Sequence, residues 1–138
     1  MRVLKLLVLA GLLMTQGCVV MAVGAVAAAA AGVTYTVLGT AEKTFNEEYN
    51  AVVAALQKAL VNLDIKTGDT RKTEENGKVV STEIQAFARD LTIIITIERI
   101  TDKATRVVVD ASKKYVVKDA ATAGEILIQT TNNLPKKS

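Results

Sequence analysis

Leu91-Thr92-Ile93-Ile94-Ile95-Thr96-Ile97-Glu98 is the stretch that decides the fold. Successive side chains of a strand point to opposite faces, so Leu91, Ile93, Ile95 and Ile97 line one side, with Thr92, Ile94 and Thr96 on the other. The first side is wholly aliphatic and demands a covering layer. The second is half polar and tolerates water. No charge interrupts the run before Glu98. At a sheet edge, such a segment would expose unpaired backbone groups that template further strands. It is therefore expected to be an interior strand, paired on both sides.

Its neighbours follow from the turns around it. Upstream, Val79–Phe87 reaches it through Arg89-Asp90 and carries Val80, Thr82, Ile84 and Ala86 on one face. Downstream, Thr101-Asp102-Lys103 turns the chain into a strand over Ala104–Asp110, and a short extended piece follows at Tyr115–Val117. Further upstream, the threonine-rich stretch Ile65–Glu74 joins Val79–Phe87 through Asn76-Gly77, a pair that accepts the positive φ of a tight hairpin. Lys66, Asp69, Arg71, Lys72 and Glu74 make this stretch the better edge. Charges discourage indiscriminate pairing yet leave backbone groups open to a chosen partner.

Helical spacing frames the strands. Phe45, Tyr49, Val52, Val53, Leu56, Leu60 and Leu63 recur on one helical face, with Glu48, Gln57 and Lys58 elsewhere. Thr44-Phe45-Asn46-Glu47 reads as a capping box for this helix. Before it, Val33, Tyr35 and Val37 alternate with Thr34 and Thr36 as a first strand ended by Gly39. Near the C-terminus, Asp119 is placed to cap a helix whose Ala120, Ala123, Ile126, Leu127 and Leu134 share a face, and Pro135 stops it. Adjacent strands imply hairpins. The expected fold is α+β, an antiparallel sheet of four to five strands with two helices packed on one face, over residues 33–138. A domain of this size buries roughly two-thirds of its unfolded surface, enough to fold without disulfides or metal.

The N-terminus has a different composition. Arg2 and Lys5 open it, Leu6 to Met14 form an apolar core, and Thr15-Gln16-Gly17 lead to Cys18, the one cysteine of 138 residues. That is the layout of a secretory signal peptide over residues 1–17. Gly17 suits the position before a lipidated cysteine, whereas Thr15 stands where Leu is usual and Gln16 is larger than typical. A lone cysteine in a secreted chain forms no internal disulfide and needs another use. Removing residues 1–17 takes Arg2 and Lys5 away, so 17 basic residues against 14 acidic become 15 against 14. No clustered positive field remains, and nucleic acid is not an expected partner.

From Leu6 to Ala41 there is no charged residue. Uncut, this stretch is long enough to span a bilayer, for which about 20 apolar residues suffice. Cut before Cys18, it leaves an Ala/Gly-rich membrane-proximal tether over residues 18–32, in which Gly24, Ala28 and Gly32 fall at four-residue steps.

The arrangement as a whole resembles a family of small bacterial lipoproteins of unknown function. The Gly17-Cys18 signal end, the Ala/Gly run to Gly32, the Tyr35 strand, the Phe45-to-Leu63 helix, the polar hairpin and the C-terminal helix carry the resemblance. It implies a lipid on Cys18, carries over no functional residue and says nothing of a mechanism. Val19 follows the cysteine where an aspartate would retain an enteric-type lipoprotein in the inner membrane, so the resemblance implies an outer-membrane lipoprotein facing the periplasm.

Catalytic chemistry finds little support. Without histidine, Ser-His and Cys-His nucleophilic sites are absent, as are imidazole or thiolate zinc sites. A Ser–Lys dyad is formally open at Ser81 or Ser112 with Lys113 or Lys114, but Ser112 and Lys113 are adjacent on a strand and point apart. Glu47-Glu48, Glu74-Glu75, Asp64 and Asp69 each have a structural explanation. No phosphate-binding glycine loop and no calcium-loop pattern occur. With no tryptophan and five Phe and Tyr residues, stacking platforms are scarce, and Tyr35, Phe45, Tyr49 and Phe87 are expected in the core. The reading is a non-enzymatic, cofactor-free lipoprotein that binds another envelope protein or supports its assembly. A carrier of an apolar ligand and an uncleaved single-span membrane protein are the alternatives, and a carboxylate hydrolase is a further rival.

Overall fold

A computed structural model describes residues 32–36, 38–114 and 116–137. The signal peptide 1–17, Cys18 and the tether as far as Ala31 lie outside these residues, as do Val37 and Tyr115. The element order is β1 (Thr34–Tyr35), β2 (Ala41–Phe45), α1 (Tyr49–Asn62), β3 (Lys66–Glu75), β4 (Lys78–Ala88), β5 (Leu91–Thr101), β6 (Ala104–Lys113), β7 (Val117–Lys118) and α2 (Ala120–Asn133). The strands form one open antiparallel sheet in the order β1-β2-β6-β5-β4-β3, and β7 pairs with the end of β6. The architecture is α+β, with both helices on one face. The sheet has seven strands, where four to five were expected.

Most of the difference comes from Ala41-Glu42-Lys43-Thr44-Phe45. The capping-box reading put Thr44 at a helix start, but Thr44 lies in β2 opposite Arg106. Ala41 and Phe45 are buried and Thr44 is exposed, so the two-residue period governs here. The helix begins at Tyr49, with Glu48 as N-cap and no side-chain capping bond. Glu47 instead pairs with Lys137 at 3.0 Å. β1 is also shorter than expected, two residues before a turn in which Gly39 takes φ +78°.

The aliphatic strand is interior, as its pattern demands. β5 pairs with β4 (Ile84↔Ile95, Ala86↔Ile93) and with β6 (Ile95↔Val109, Ile97↔Val107). Ile93, Ile95 and Ile97 are fully buried in one cluster with Leu56, Leu60, Ile126 and Leu127 from the two helices. α1 buries Tyr49, Val52, Ala55, Leu56, Ala59 and Leu60. It ends in a left-handed residue, Asp64 at φ 55°, with Ile65 N–H donating to the Leu60 carbonyl at 2.8 Å and Asp64 N–H to that of Val61 at 3.1 Å. That bond pair is the Schellman arrangement. α2 is capped by Asp119, whose carboxylate accepts from the Thr122 N–H at 2.9 Å. It stops at Asn133, because Leu134 before Pro135 is extended.

Polar groups in the core are satisfied. The Tyr49 hydroxyl donates to Thr82 Oγ1, the Thr105 hydroxyl donates to the Glu47 carbonyl at 3.0 Å, and that of Thr130 to Ile126 at 2.7 Å. Among the described residues, no buried side-chain polar atom lacks a partner. Two aromatic residues expected in the core are not there. Tyr35 and Phe87 are 43% and 42% exposed. Tyr35 lies over α2 at Gly124, where a Cβ would strike its phenol ring. Phe87 sits opposite Thr92 on the face without helices and leans over Gly68.

Candidate interaction surfaces

The outer edge of β3 is the first candidate. All ten residues of Lys66–Glu75 are exposed, and among the described residues the strand has β4 on one side and no neighbour on the other. The Asn76-Gly77 turn that joins it to β4 has φ 51° and 73°, as a two-residue hairpin of this pair requires. Register shifts fall between Thr67 and Thr70 and between Thr73 and Glu74. Bulges and charges together blunt an edge against indiscriminate pairing. The sequence located this edge and its charges; the bulges carry no mark in its composition.

The second candidate is a half-open groove of about 1100 Å³ at one end of the sandwich. The C-terminal end of α1, the β4–β5 turn, the end of β6, β7 and the first turn of α2 enclose it. Leu63, Ile65, Phe87, Leu91 and Val117 supply apolar wall, and eight of its seventeen lining residues are charged. Asp64, Asp90, Asp119 and Glu125 balance Lys66, Arg89, Lys113 and Lys118. Lys113 meets Asp90 at 2.5 Å. The hydrogen bond from Lys113 holds the Asp90 carboxyl below the usual aspartate range, and its counterpart raises the Lys113 ammonium.

The third lies beside the groove. The turn holding Leu38 and Gly39 packs on β7, since a Cβ on Gly39 would come within 2.6 Å of Lys118 Cβ. Leu38, Val116 and Val117 are 73%, 79% and 62% exposed. The sequence hinted at this in Val116-Val117, because neighbours on a strand cannot both face the core. Their proximity to Leu38 depends on long-range pairing and could not be read.

The open face of the sheet is tied by ions. Arg106 reaches Glu42 at 2.6 Å and Glu98 at 3.2 Å, linking β2, β6 and β5. The hydrogen bond to Glu42 is the main cause that raises the Arg106 pKa further. At the far end of the sheet, Arg99 stacks on the Tyr49 ring at 4.7 Å and donates to the Val79 carbonyl at 3.0 Å.

The carboxylates weighed for catalysis are dispersed. Asp64 borders the groove, Asp69 lies at the β3 bulge, Glu74 and Glu75 end β3, and Glu47 is held by Lys137. Among the described residues, no three His, Cys, Asp or Glu side chains gather as a metal-holding group. Ser112 is buried opposite Thr92 and Lys118, and Ser81 lies opposite Glu98 and Thr73. Lys113 turns to Asp90 rather than to either serine. No helix of the described residues is long and apolar enough to cross a membrane. Residues 6–31 of the charge-free stretch lie outside them.

A sequence profile described as a protein of unknown function (DUF3568) matches residues 2–114, from the N-terminal segment through β6. No curated protein matches the chain.

Proposed function

The chain belongs to the DUF3568 family, whose function is unknown, and from its own residues we propose that it is a lipid-anchored envelope protein working as a non-enzymatic binding or structural module. In this reading residues 1–17 are removed, Cys18 carries the lipid, residues 18–32 act as tether, and Val19 directs the protein to the outer membrane, facing the periplasm. One observation carries the binding role: among the described residues, a ten-residue strand, exposed throughout, ends the sheet with one side unpaired. Strand addition to such an edge supplies main-chain hydrogen bonds, and alternate side chains supply selectivity. Lys66, Asp69, Arg71, Lys72, Glu74 and Glu75 mix both signs, which favours an envelope protein presenting a complementary charged strand.

The groove is the one feature that favours the carrier reading. Its charged lining suits an apolar ligand poorly, because Asp64, Lys66 and Arg89, which make no ion pair among the described residues, would lose hydration without gaining partners. The module therefore stands ahead of the carrier.

Two measurements on cells test the proposal. Cys18→Ser should abolish fatty-acid labelling and leave an unprocessed precursor. Several acyl chains, at about 0.8 kcal/mol per buried CH₂, make the wild-type attachment lasting. A photo-reactive residue in place of Arg71 should cross-link a defined envelope protein, while one in place of Glu125 on α2 should not. Labelling that survives Cys18→Ser ends the lipoprotein reading, and equal or absent cross-links at both positions end the β3 reading.

A further inference from the structure

Both ends of the sandwich carry charged side chains, but they differ in exposed aliphatics, with Ile100 near one and Leu38, Val116 and Val117 at the other. At one, Glu75, Asn76, Lys78, Asp102 and Lys103 form the hairpin tips, and Lys78 pairs with Asp102 at 2.5 Å. At the other, Leu38, Val116 and Val117 stand mostly in solvent, and the turn that holds Leu38 and Gly39 packs on the strand that holds Val117 and Lys118. Large aliphatics gathered on a surface tip have a cost in water that burial in another phase removes. We propose that this end of the sandwich rests on the lipid surface, with Leu38, Val116 and Val117 inserted among the phospholipid headgroups. The inference rests on the membrane-attached reading above and adds to it an orientation and a contact.

Three observations favour lipid over a protein partner as the occupant. In the processed chain the charge-free sequence runs without a break from Cys18 through β1 and the Leu38 turn to Ala41, so the aliphatic tip continues the tether that follows the lipid. From Cys18 to Gly32 the chain reaches at most about 50 Å when extended. That exceeds the length of an eleven-residue strand, roughly 37 Å, so the tether permits either end to meet the bilayer and the side chains choose. Two lysines beside the tip are matched, Lys113 with Asp90 at 2.5 Å and Lys118 with Asp110 at 2.6 Å, while Lys114 and Arg89 make no ion pair among the described residues. Paired ions lose less on entering the headgroup layer than lone ones. With Lys113 and Lys118 held by carboxylates, contact should depend chiefly on aliphatic insertion and only weakly on salt.

The chain contains no tryptophan, so one introduced indole reports its own surroundings. Leu38→Trp, Val117→Trp and Ile100→Trp, the last near the opposite end, are made in the full-length chain and reconstituted in vesicles containing brominated phosphatidylcholine. The expected result is strong quenching and a blue-shifted emission for Leu38→Trp and Val117→Trp, and water-like emission without quenching for Ile100→Trp. The same pattern should appear with and without added anionic phospholipid. Flotation of the vesicles and the mass of the N-terminal peptide from envelope-purified protein are measured in parallel. Chain that floats with a modified Cys18, yet shows no quenching at Leu38 and Val117 or equal quenching at Ile100, overturns the orientation and leaves the lipoprotein reading intact. Chain that does not float overturns both.

Discussion

Asp90 and Lys113 show what one exposed pair contributes. The hydrogen bond from Lys113 lowers the Asp90 carboxyl below its model-peptide value of 3.8, and the same bond raises Lys113 above 10.5. A depressed acid stabilises the fold in full above its unfolded pKa and loses that contribution as pH falls through the folded value. A raised base does the reverse, contributing in full below 10.5 and losing it as pH rises through the elevated value. Both side chains are more than half exposed, so salt screens the pair and its effect is small. Asp90→Asn is expected to lower the thermal midpoint slightly at neutral pH, with the gap closing below about pH 4 as wild-type Asp90 protonates. Thermal scans from neutral to acid pH, at low and high salt, check this. A gap that persists in acid would mean that the Arg89-Asp90 turn, not the ion pair, is what the substitution disturbs.

At the scale of elements, α1 shows how burial and exposure divide one helix. Leu56 is fully buried between the sheet and α2, and Lys58 two positions on points to solvent. Leu56→Ala should cost about 2–5 kcal/mol, since the hole left among close-packed neighbours relaxes only in part. Lys58→Ala should cost under about 0.5 kcal/mol. Urea unfolding of both variants measures the difference, and similar losses would place the wrong face of α1 against the sheet. That face was legible because Tyr49, Val52, Leu56 and Leu60 recur at helical spacing, whereas Phe45, expected on the same face, lies in β2. The start of the helix was not. Thr44 and Glu47 have the spacing of a capping box, yet Ala41 and Phe45 bury against β6, and five residues of cross-strand pairing outweigh two side-chain capping bonds. Local chemistry suggested one answer and tertiary pairing imposed another. Tyr35 and Phe87 make the same point, since neither alternation nor aromatic character says whether a second layer exists to cover a face.

For the molecule as a whole, the central strand, its neighbours, the polar edge and the one-sided helices could be read from alternation and turn chemistry. The groove and the tip could not, because both depend on long-range placement of β7, beside the α1 end and the β4–β5 turn for the groove and against the β1–β2 turn for the tip. The same layout sets a gradient of stability. β5 and β6 are each paired on both sides and carry the fully buried Ile93, Ile95, Ile97, Val107 and Val109. β3 is paired on one side, interrupted by two register shifts, and buries none of its ten residues. Regions with few buried apolar contacts open first, and the most deeply packed strands exchange only on global unfolding. Native-state hydrogen exchange on the purified chain should therefore find β3 the least protected of the long strands, with β5 and β6 the most protected. A strand so easily opened can adjust its bulges to an incoming partner strand without disturbing the core beneath α1 and α2. Added protection confined to β3 is then the signature of an occupied edge. Protection in β3 equal to that of β5 in the isolated chain would show that the edge is already covered, and the partner would have to bind elsewhere.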